Sequence, residues 1–442
     1  MILADIYSSL HIEKYIKIMY NHESNFCFYN NIKIYQMKKF VIFLFIFGFI
    51  FPSFSQERGD QYFEIVESIP IETNLDNPDI RNTYEVWLEM IDNVKSSLDI
   101  EQFYISNQKG EPLEDILNSI IKVGERGVKV RLIVDSRMYK TYPETVDMLA
   151  KQKNITTRII DFGKLSGGIQ HAKYFIVDGE EIFLGSQNFD WRALKHIHEI
   201  GVRIRDKNAV KIYQDIFDLD WQLAEKNDPA EISKLIQFKS YQLPETVHGS
   251  NGEEMTIVPT MSPKGMIIDS TLWDESHIVA MIDNAKSEVM CQFLTYSPVA
   301  RGKSFYHVLD NALRRAAVRG LKVKMIVADW SKSHPTVDFL KSLSLVPNIQ
   351  IKFNSIPEWS GGYIPFARVE HCKFLIIDSS ACWIGTSNWE KSYFYTSRNL
   401  GIAVKNQIIT KTLRGIFYKS WDGSYTELIK PEVEYIPRKH GE

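Results

Sequence analysis

Short apolar runs rich in Val, Ile and Leu mark two places in the chain as buried strands. They are residues 128–134 and 321–327, and such β-branched runs are typical of strands covered on both faces. A helix-like segment precedes each run, at residues 113–125 and 305–318, and in the second of these the apolar residues recur three and four apart. The alternation of helix and strand predicts an α/β fold.

Two further pairs of apolar runs predict β-hairpins. Residues 174–177 and 182–184 are separated by an Asp-Gly-Glu turn, and residues 374–377 and 382–384 repeat the arrangement. A long helix is predicted after the first hairpin, over residues 209–225. The same kinds of element therefore return in the same order.

The sequence itself repeats as well. The matching segments are residues 91–96 with 282–287, 126–130 with 319–323, and 171–173 with 371–373. The spacing between partners grows slowly along the chain, as small loop insertions would produce. A repeat of domain size indicates a two-fold duplication rather than a solenoid.

The duplication predicts two α/β halves with mixed sheets, packed face to face around one shared active site. The first half is assigned to residues 60–226 and the second to residues 255–435. Residues 227–254 between them are polar and contain Pro and Gly, which predicts a connector.

The N-terminal region predicts export. Met37 and two lysines precede a short apolar stretch that ends in Ser-Phe-Ser, so residues 37–55 are interpreted as a signal peptide. A retained membrane anchor is the alternative, although the apolar stretch is short for a span. Residues 1–36 are interpreted as a start codon assigned too early. The mature protein is expected to be secreted, periplasmic or lysosomal, depending on the host.

Composition restricts the function classes only broadly. The 442 residues are 44% hydrophobic and 24% charged, which is ordinary for a globular protein, and the net charge is −3. No bulk positive field attracts nucleic acid or anionic membrane, so any basic site must be local. Four cysteines are too few for a disulfide framework, and Cys372 is expected to fill the core.

A spaced motif within the repeat carries the candidate chemistry. His171 and Lys173 flank one residue, and their side chains face the same side if they lie on a strand. Asn188 follows the next strand and can return to that side. If the halves face each other, two histidines, two lysines and two amides converge. The matching residues of the second half are His371, Lys373 and Asn388.

These residue types suit cleavage of a phosphodiester. Lysines and amides bind non-bridging oxygens and stabilise the charge of the transition state. One neutral imidazole can attack phosphorus, while the other donates a proton to the leaving oxygen and then activates water. No metal ion or other cofactor is required by this scheme, because the lysine pair supplies the positive charge.

Both motifs resemble the His-x-Lys-x4-Asp signature of the phospholipase D superfamily. Residues 185–194, 199–202 and 384–389 are similar to its lysosomal branch in animals, and the likeness covers roughly residues 64–430. The resemblance implies a duplicated phospholipase D fold and a phosphohistidine intermediate, with His171 as nucleophile and His371 as general acid. The catalytic motif positions that it implies are His171, Lys173, Asp178, His371, Lys373 and Asp378; the expected substrate-binding positions are Ser186, Asn188, Ser387 and Asn388.

Three of the motif-associated positions differ in their expected roles. Asp178 and Asp378 lie an odd number of residues past the lysines, so they are expected to face away and to act in turns or ion pairs. Glu199 is a candidate to orient a catalytic histidine, with a surface strand residue as the alternative. The corresponding position holds Asn399, an amide, so the two halves are expected to have unequal roles.

The substrate stays open at this level between a phospholipid head group and the 5′ end of a single-stranded nucleic acid. Aromatic residues that follow the first strand of each half, such as Phe103 and Tyr104, are candidates to stack on a base or contact lipid, with a core role as the alternative. Two further functions stay open, a cardiolipin-synthase-like phosphatidyl transferase and a non-catalytic binding protein of the same fold. The sequence indicates no obligate protein partner and no oligomeric state.

Overall fold

The structure, a computed structural model, describes residues 62–249, 252–300 and 304–441. The predicted early start and signal peptide, residues 1–36 and 37–55, lie outside the described residues. Among the described helices, none combines the length and apolarity needed to cross a membrane.

The first half alternates strands and helices as the apolar pattern predicts. Its strands are β1 (Tyr62–Ser68), β2 (Arg81–Asn82), β3 (Ser97–Gln102), β4 (Ile105–Ser106), β5 (Lys129–Asp135), β6 (Ile155–Ile160), β7 (Tyr174–Val177), β8 (Glu181–Gly185), β9 (Phe189–Asp190) and β10 (Glu199–Arg205). Its helices are α1 (Thr83–Asp92), α2 (Leu113–Glu125), α3 (Ser136–Tyr139), α4 (Glu144–Ala150), α5 (Phe162–Leu165) and α6 (Lys207–Lys226).

The remainder of the chain repeats this order with additions at the sheet edges. Helix α7 (Pro229–Leu235) comes first. The strands are β11 (Glu245–His248), β12 (Glu254–Ser262), β13 (Glu288–Phe293), β14 (Tyr296–Ser297), β15 (Lys322–Ala328), β16 (Ile349–Asn354), β17 (Phe374–Ile377), β18 (Ala381–Gly385), β19 (Trp389–Glu390), β20 (Asn399–Lys405) and β21 (Thr426–Leu428). The helices are α8 (Asp274–Asn284), α9 (Val308–Val318), α10 (Thr336–Ser344), α11 (Lys391–Tyr395) and α12 (Gln407–Trp421).

The two large sheets share one topology, which confirms the duplicated α/β fold. The first sheet has the order β2-β1-β10-β8-β7-β3-β5-β6, and the second has β11-β12-β20-β18-β17-β13-β15-β16-β21. Strands β3, β5 and β6 run parallel, as do β13, β15 and β16, whereas the hairpin strands and the edge strand β21 pair antiparallel. Each sheet is therefore mixed, and seven strands of one half have a counterpart in the other.

Helix α2 shows how the apolar period produces the outer layer. Leu113, Ile116, Leu117, Ile120 and Val123 lie on one face and are buried against the first sheet. Burying each of these side chains contributes about 1.5–3 kcal/mol before the entropy cost of ordering the chain. Acidic side chains occupy the first turn and a lysine the last, which complements the helix dipole.

The inner faces of the two halves share one continuous core. Tyr174 and Leu184 from the first sheet belong to the same buried cluster as Phe374 and Trp383 from the second. Strands β8 and β10 contact β18 and β20. Tyr213 of α6 donates a hydrogen bond from its hydroxyl to the carbonyl of a glycine on β20, over 2.8 Å. The halves consequently form one compact unit.

Two details differ from the expectations drawn from sequence. The predicted helix over residues 305–318 begins three residues later, at Val308. The segment expected to be a connector, residues 227–254, carries α7 and β11, and β11 pairs with β12 at the edge of the second sheet.

Candidate active site

The two halves meet at the segments that carry the spaced motif. The backbone N–H of His171 donates to the carbonyl of Arg398 at 2.9 Å, and that of His371 donates to the carbonyl of His198 at 2.9 Å. The first motif segment therefore pairs with the residue just before β20 of the second half, and the second motif segment pairs with the residue just before β10 of the first half. This crossed pairing brings both histidines to one seam.

Neither histidine–lysine pair lies on a regular strand. Strand β7 begins only at Tyr174, after the motif residues. His171 and Lys173 are buried, and the lysine Nζ donates to the histidine carbonyl at 2.6 Å. Lys373 makes the same contact with His371 at 2.8 Å. Each lysine Nζ is thus held against the backbone carbonyl of its own histidine.

Electrostatic shifts show that the four groups occupy one site. Burial holds the pKa of both imidazoles, His171 and His371, well below its usual value, and Lys173 and Lys373 each lower both further. Burial also lowers the pKa of Lys173 well below its usual range and that of Lys373 to about 8. Because each lysine acts on both histidines, the motifs share one electrostatic environment.

The partner of each imidazole comes from the opposite half. Nδ1 of His371 lies 2.7 Å from Oε2 of Glu199, and Nδ1 of His171 lies 3.0 Å from Oδ1 of Asn399. Glu199 is wholly buried, so the sequence alternative of a surface strand residue is wrong. Spacing along the chain gives no signal that these contacts cross between the halves.

The hydrogen bonds of Asn399 assign the tautomer of His171. The amide Nδ2 donates to the carbonyl of Tyr393 at 2.9 Å, and the amide Oδ1 accepts from the hydroxyl of Thr386 at 2.9 Å. The oxygen therefore faces the imidazole, and Nδ1 of His171 must be the donor. In the neutral imidazole, Nε2 therefore keeps its lone pair.

A carboxylate against His371 creates a different environment. Burial raises the pKa of Glu199 to about 8, while Lys373 and the hydroxyl of Ser186 oppose that rise. When ionised, the Glu199 carboxylate stabilises an imidazolium far better than the neutral amide at the other histidine does. His371 is consequently the histidine suited to carry and release a proton.

The motif aspartates lie in the hairpin turns. Asp178 has a left-handed backbone conformation with φ 56° and accepts hydrogen bonds from the N–H groups of residues 95–97. Asp378 has φ 54° and accepts the equivalent bonds from residues 286–288. These hydrogen bonds tie each hairpin to the start of β3 or β13, as expected of carboxylates that face away from the histidines.

The remaining predicted positions divide into two groups. The Oδ1 atoms of Asn188 and Asn388 are buried without a hydrogen-bond partner among the described residues, so these amides keep bonding capacity. The hydroxyl of Ser186 instead donates to the carbonyl of Ile200 at 3.2 Å, and that of Ser387 donates to Asp274 at 3.2 Å. These contacts hold the loop and do not support the expected substrate-binding role of either serine.

Two aromatic rings enclose His171. The centroid of Phe103 lies 5.1 Å from that of the imidazole, and the centroid of Tyr393 lies 4.9 Å away. The Nζ of Lys173 lies 5.0 Å from the Phe103 centroid. The position of Phe103 after β3 marks it as a candidate in the sequence, whereas nothing in the sequence singles out Tyr393.

A buried cluster behind the site resembles a metal site in composition but not in bonding. His198, Glu370 and Cys372 lie close together. Both ring nitrogens of His198 bond to carboxylates, Nδ1 to Glu370 at 2.7 Å and Nε2 to Glu67 at 2.9 Å. Burial opposes protonation, yet the carboxylate of Glu370 raises the pKa of His198 well above its usual value. An imidazolium between two carboxylates offers no lone pair to a metal ion.

The three described cysteines are buried and free of disulfide bonds. Burial raises the pKa of the Cys372 thiol well above its usual value, so it stays neutral. The expectation that Cys372 fills the core agrees with this environment.

Comparisons with known proteins agree with this geometry. The family described as "Cardiolipin synthase, PLD-like domain" matches residues 87–221 and 278–421. The chain is 29% identical over 382 residues to phospholipase D Z of Dictyostelium discoideum, covering 82% of this chain and 90% of that protein. It is 29% identical over 404 residues to the 5′-3′ exonuclease PLD3 of Xenopus laevis, covering 82% and 80%.

A solved structure supports the fold alone. The phosphatidylserine synthase of Haemophilus influenzae is similar with a TM-score of 0.55 and 12% sequence identity, covering 78% of this chain and 85% of that one.

Proposed function

From the premise that this chain belongs to the phospholipase D superfamily and is a phosphodiesterase, we propose that it cleaves its substrate through a phosphohistidine on His171. The unequal partners of the two imidazoles carry the proposal. The amide of Asn399 leaves His171 neutral with a free Nε2, while the carboxylate of Glu199 supports a proton on His371. The first is the arrangement of a nucleophile and the second that of a general acid.

In the first step Nε2 of His171 attacks phosphorus and the bond from phosphorus to the leaving oxygen breaks. The proton on Nε2 of His371 passes to that oxygen, so the leaving group departs as a neutral alcohol. Lys173 and Lys373 neutralise the non-bridging oxygens as charge develops on them. The products are a phosphohistidine and the free alcohol.

Binding of the anion itself prepares this step. The lysines hold both imidazoles neutral, and a phosphodiester bound beside the lysines offsets their charge and raises the histidine pKa values. Glu199 then directs the proton to His371, since only this imidazole bonds to a carboxylate.

In the second step water attacks the phosphohistidine. Nε2 of His371, now neutral, accepts a proton from the water, and the bond from phosphorus to Nε2 of His171 breaks. The product is a phosphomonoester, and both histidines return to their starting states. The charge needed in both steps comes from residues of this chain, so we propose that the reaction is independent of metal ions.

One experiment tests the reaction class. The purified protein in excess EDTA is offered bis(p-nitrophenyl) phosphate, a 5′-hydroxyl single-stranded oligonucleotide and phosphatidylcholine micelles in parallel. We expect hydrolysis of at least one diester at a rate that EDTA leaves unchanged, since the two buried lysines supply the charge. Activity that disappears with EDTA and returns with a divalent cation would contradict the mechanism.

The variant Asn399→Asp tests the assignment of the nucleophile. A carboxylate at this position bonds to Nδ1 of His171 and raises its pKa, so the imidazole is protonated over more of the acidic range. The neutral form is required for attack, so we expect the acidic limb of the kcat/KM profile to move to higher pH. The profile is measured with bis(p-nitrophenyl) phosphate.

The reciprocal variant, Glu199→Gln, serves as the matched comparison. Loss of the carboxylate lowers the pKa of His371, so its protonated form disappears at lower pH. The basic limb of the same profile is then expected to move to lower pH. If the two variants shift the opposite limbs to those named, the roles of the histidines are exchanged and the proposal is wrong.

A further inference from the structure

A cavity of about 390 Å³ opens beside the nucleophile. Residues of helix α11 (Lys391–Tyr395) and Arg137 of α3 line it. Its volume is within the range of small-ligand pockets. The mechanism proposed above does not use any side chain of α3.

The cavity adjoins the reacting atoms at two places. Tyr393 lines it and also packs against the imidazole of His171, with ring centroids 4.9 Å apart. Gly168 and Ile169 line it as well, only two residues before His171. The cavity therefore lies next to the position of a phosphate bound at His171, where the neighbouring group of the substrate would extend.

Two cations without ion-pair partners among the described residues line this cavity. Arg137 and Lys391 are exposed, and neither forms a salt bridge within the parts of the chain that the structure describes. The one carboxylate in the lining, Glu390, accepts a hydrogen bond from the hydroxyl of Thr295 at 2.6 Å. A further hydroxyl comes from Ser392. Nζ of Lys391 lies 5.7 Å from the centroid of the Tyr395 ring, and neither cation is neutralised by an ion pair among the described residues, so the lining favours an anionic ligand.

We propose that this cavity binds the phosphodiester adjacent to the scissile one, which makes a single-stranded nucleic acid the substrate class. This inference rests on the proposed function, since it assigns the neighbour of the phosphate that His171 attacks. A nucleic-acid strand carries a second phosphate at a fixed interval along its backbone. A phosphatidylcholine has one phosphate, so it offers no second phosphate for Arg137 and Lys391 to bind.

The lining also contains a partly exposed aromatic residue, Tyr395, which suits a nucleic-acid base. Its ring lines the cavity and 37% of the residue is exposed, while its hydroxyl donates to Glu275 at 3.0 Å. A fixed aromatic face beside two cations is the combination used to hold an unpaired base next to its phosphate.

The test compares substrates with one and two phosphodiesters. The probes are bis(p-nitrophenyl) phosphate, the dinucleotide TpT and the trinucleotide TpTpT, with kcat/KM measured for each. We expect kcat/KM for TpTpT to exceed that for TpT by about tenfold or more, which corresponds to one further charge-assisted contact. We also expect the excess to shrink as salt rises.

The variant Arg137→Gln/Lys391→Gln is expected to reduce the TpTpT to TpT ratio to near one. The charge-matched control Lys129→Gln/Lys322→Gln removes two exposed lysines at the starts of β5 and β15, the opposite ends of those strands from the motif, and should keep the ratio.

Each outcome has a distinct meaning. If bis(p-nitrophenyl) phosphate, both oligonucleotides and micellar phosphatidylcholine are all inert, the proposed function fails. If they are cleaved but the TpTpT to TpT ratio is near one in the native protein, or is kept by the Arg137 and Lys391 variant, the second-phosphate subsite is refuted. A preference for micellar phosphatidylcholine that this variant abolishes would assign the cavity to a lipid head group and overturn the nucleic-acid inference.

Discussion

Replacing His171 with alanine is expected to lower kcat for diester hydrolysis about 10⁴-fold or more, because the covalent step loses its nucleophile. The effect should be equally large for a substrate with an activated leaving group such as p-nitrophenol. Departure of that group needs no proton, yet attack on phosphorus still requires Nε2 of His171. The measurement is single-turnover hydrolysis of bis(p-nitrophenyl) phosphate.

The control for this variant must separate chemistry from folding. His171 bonds to Asn399 of the other half, so its loss also removes a contact at the seam. A His171→Asn variant restores a polar side chain of similar reach and is expected to be equally inactive with an unchanged thermal transition. Retention of a tenth of native kcat by either variant would show that another group attacks phosphorus.

His371→Ala is expected to separate the two chemical steps. Protonation of an alkoxide leaving group by a positioned acid contributes about 10²–10⁴-fold, so cleavage of TpT should fall by that factor. p-Nitrophenolate leaves without a proton, so bis(p-nitrophenyl) phosphate should still release one equivalent in a burst. Water activation is then lost, and the phosphohistidine on His171 accumulates.

Intact mass measured after the burst identifies this intermediate. The expected result is one added phosphoryl ester per chain, stable in base and lost in acid as a phosphoramidate is. The double variant His171→Ala/His371→Ala should show neither the burst nor the added mass. A steady rate with no burst in His371→Ala would show that another residue activates the water in the second step.

Much of the fold follows from local pattern. The helix at Leu113–Glu125 begins and ends at the predicted residues, because its apolar stripe and its charged ends agree with each other. The helix predicted over residues 305–318 begins later, at Val308, since Phe305 forms an isolated bridge with Val299 instead. This bridge outweighs the helical spacing at the N-terminal end of the predicted helix.

The spacing of residues along the chain also predicts part of the candidate site. The paired histidines and lysines are predictable because the same motif occurs in register with an independent repeat. The odd step to Asp178 indicates that its carboxylate faces away, and the hydrogen bonds to residues 95–97 show what it holds. The substrate-binding role expected of Ser387 is not supported, because its hydroxyl bonds to Asp274. Asp274 lies more than a hundred residues away along the chain, so no local pattern reveals this contact.

The sequence by itself determined the duplication, the reacting residue types and the inequality of Glu199 and Asn399. Only the tertiary structure decided that each of these residues serves the histidine of the opposite half, through the paired seam at His198 and Arg398. The physical reason is that periodicity along a chain defines which face a side chain occupies, whereas the partner on that face depends on how two separate surfaces pack. The cavity beside Tyr393 has the same origin, since its walls belong to both halves.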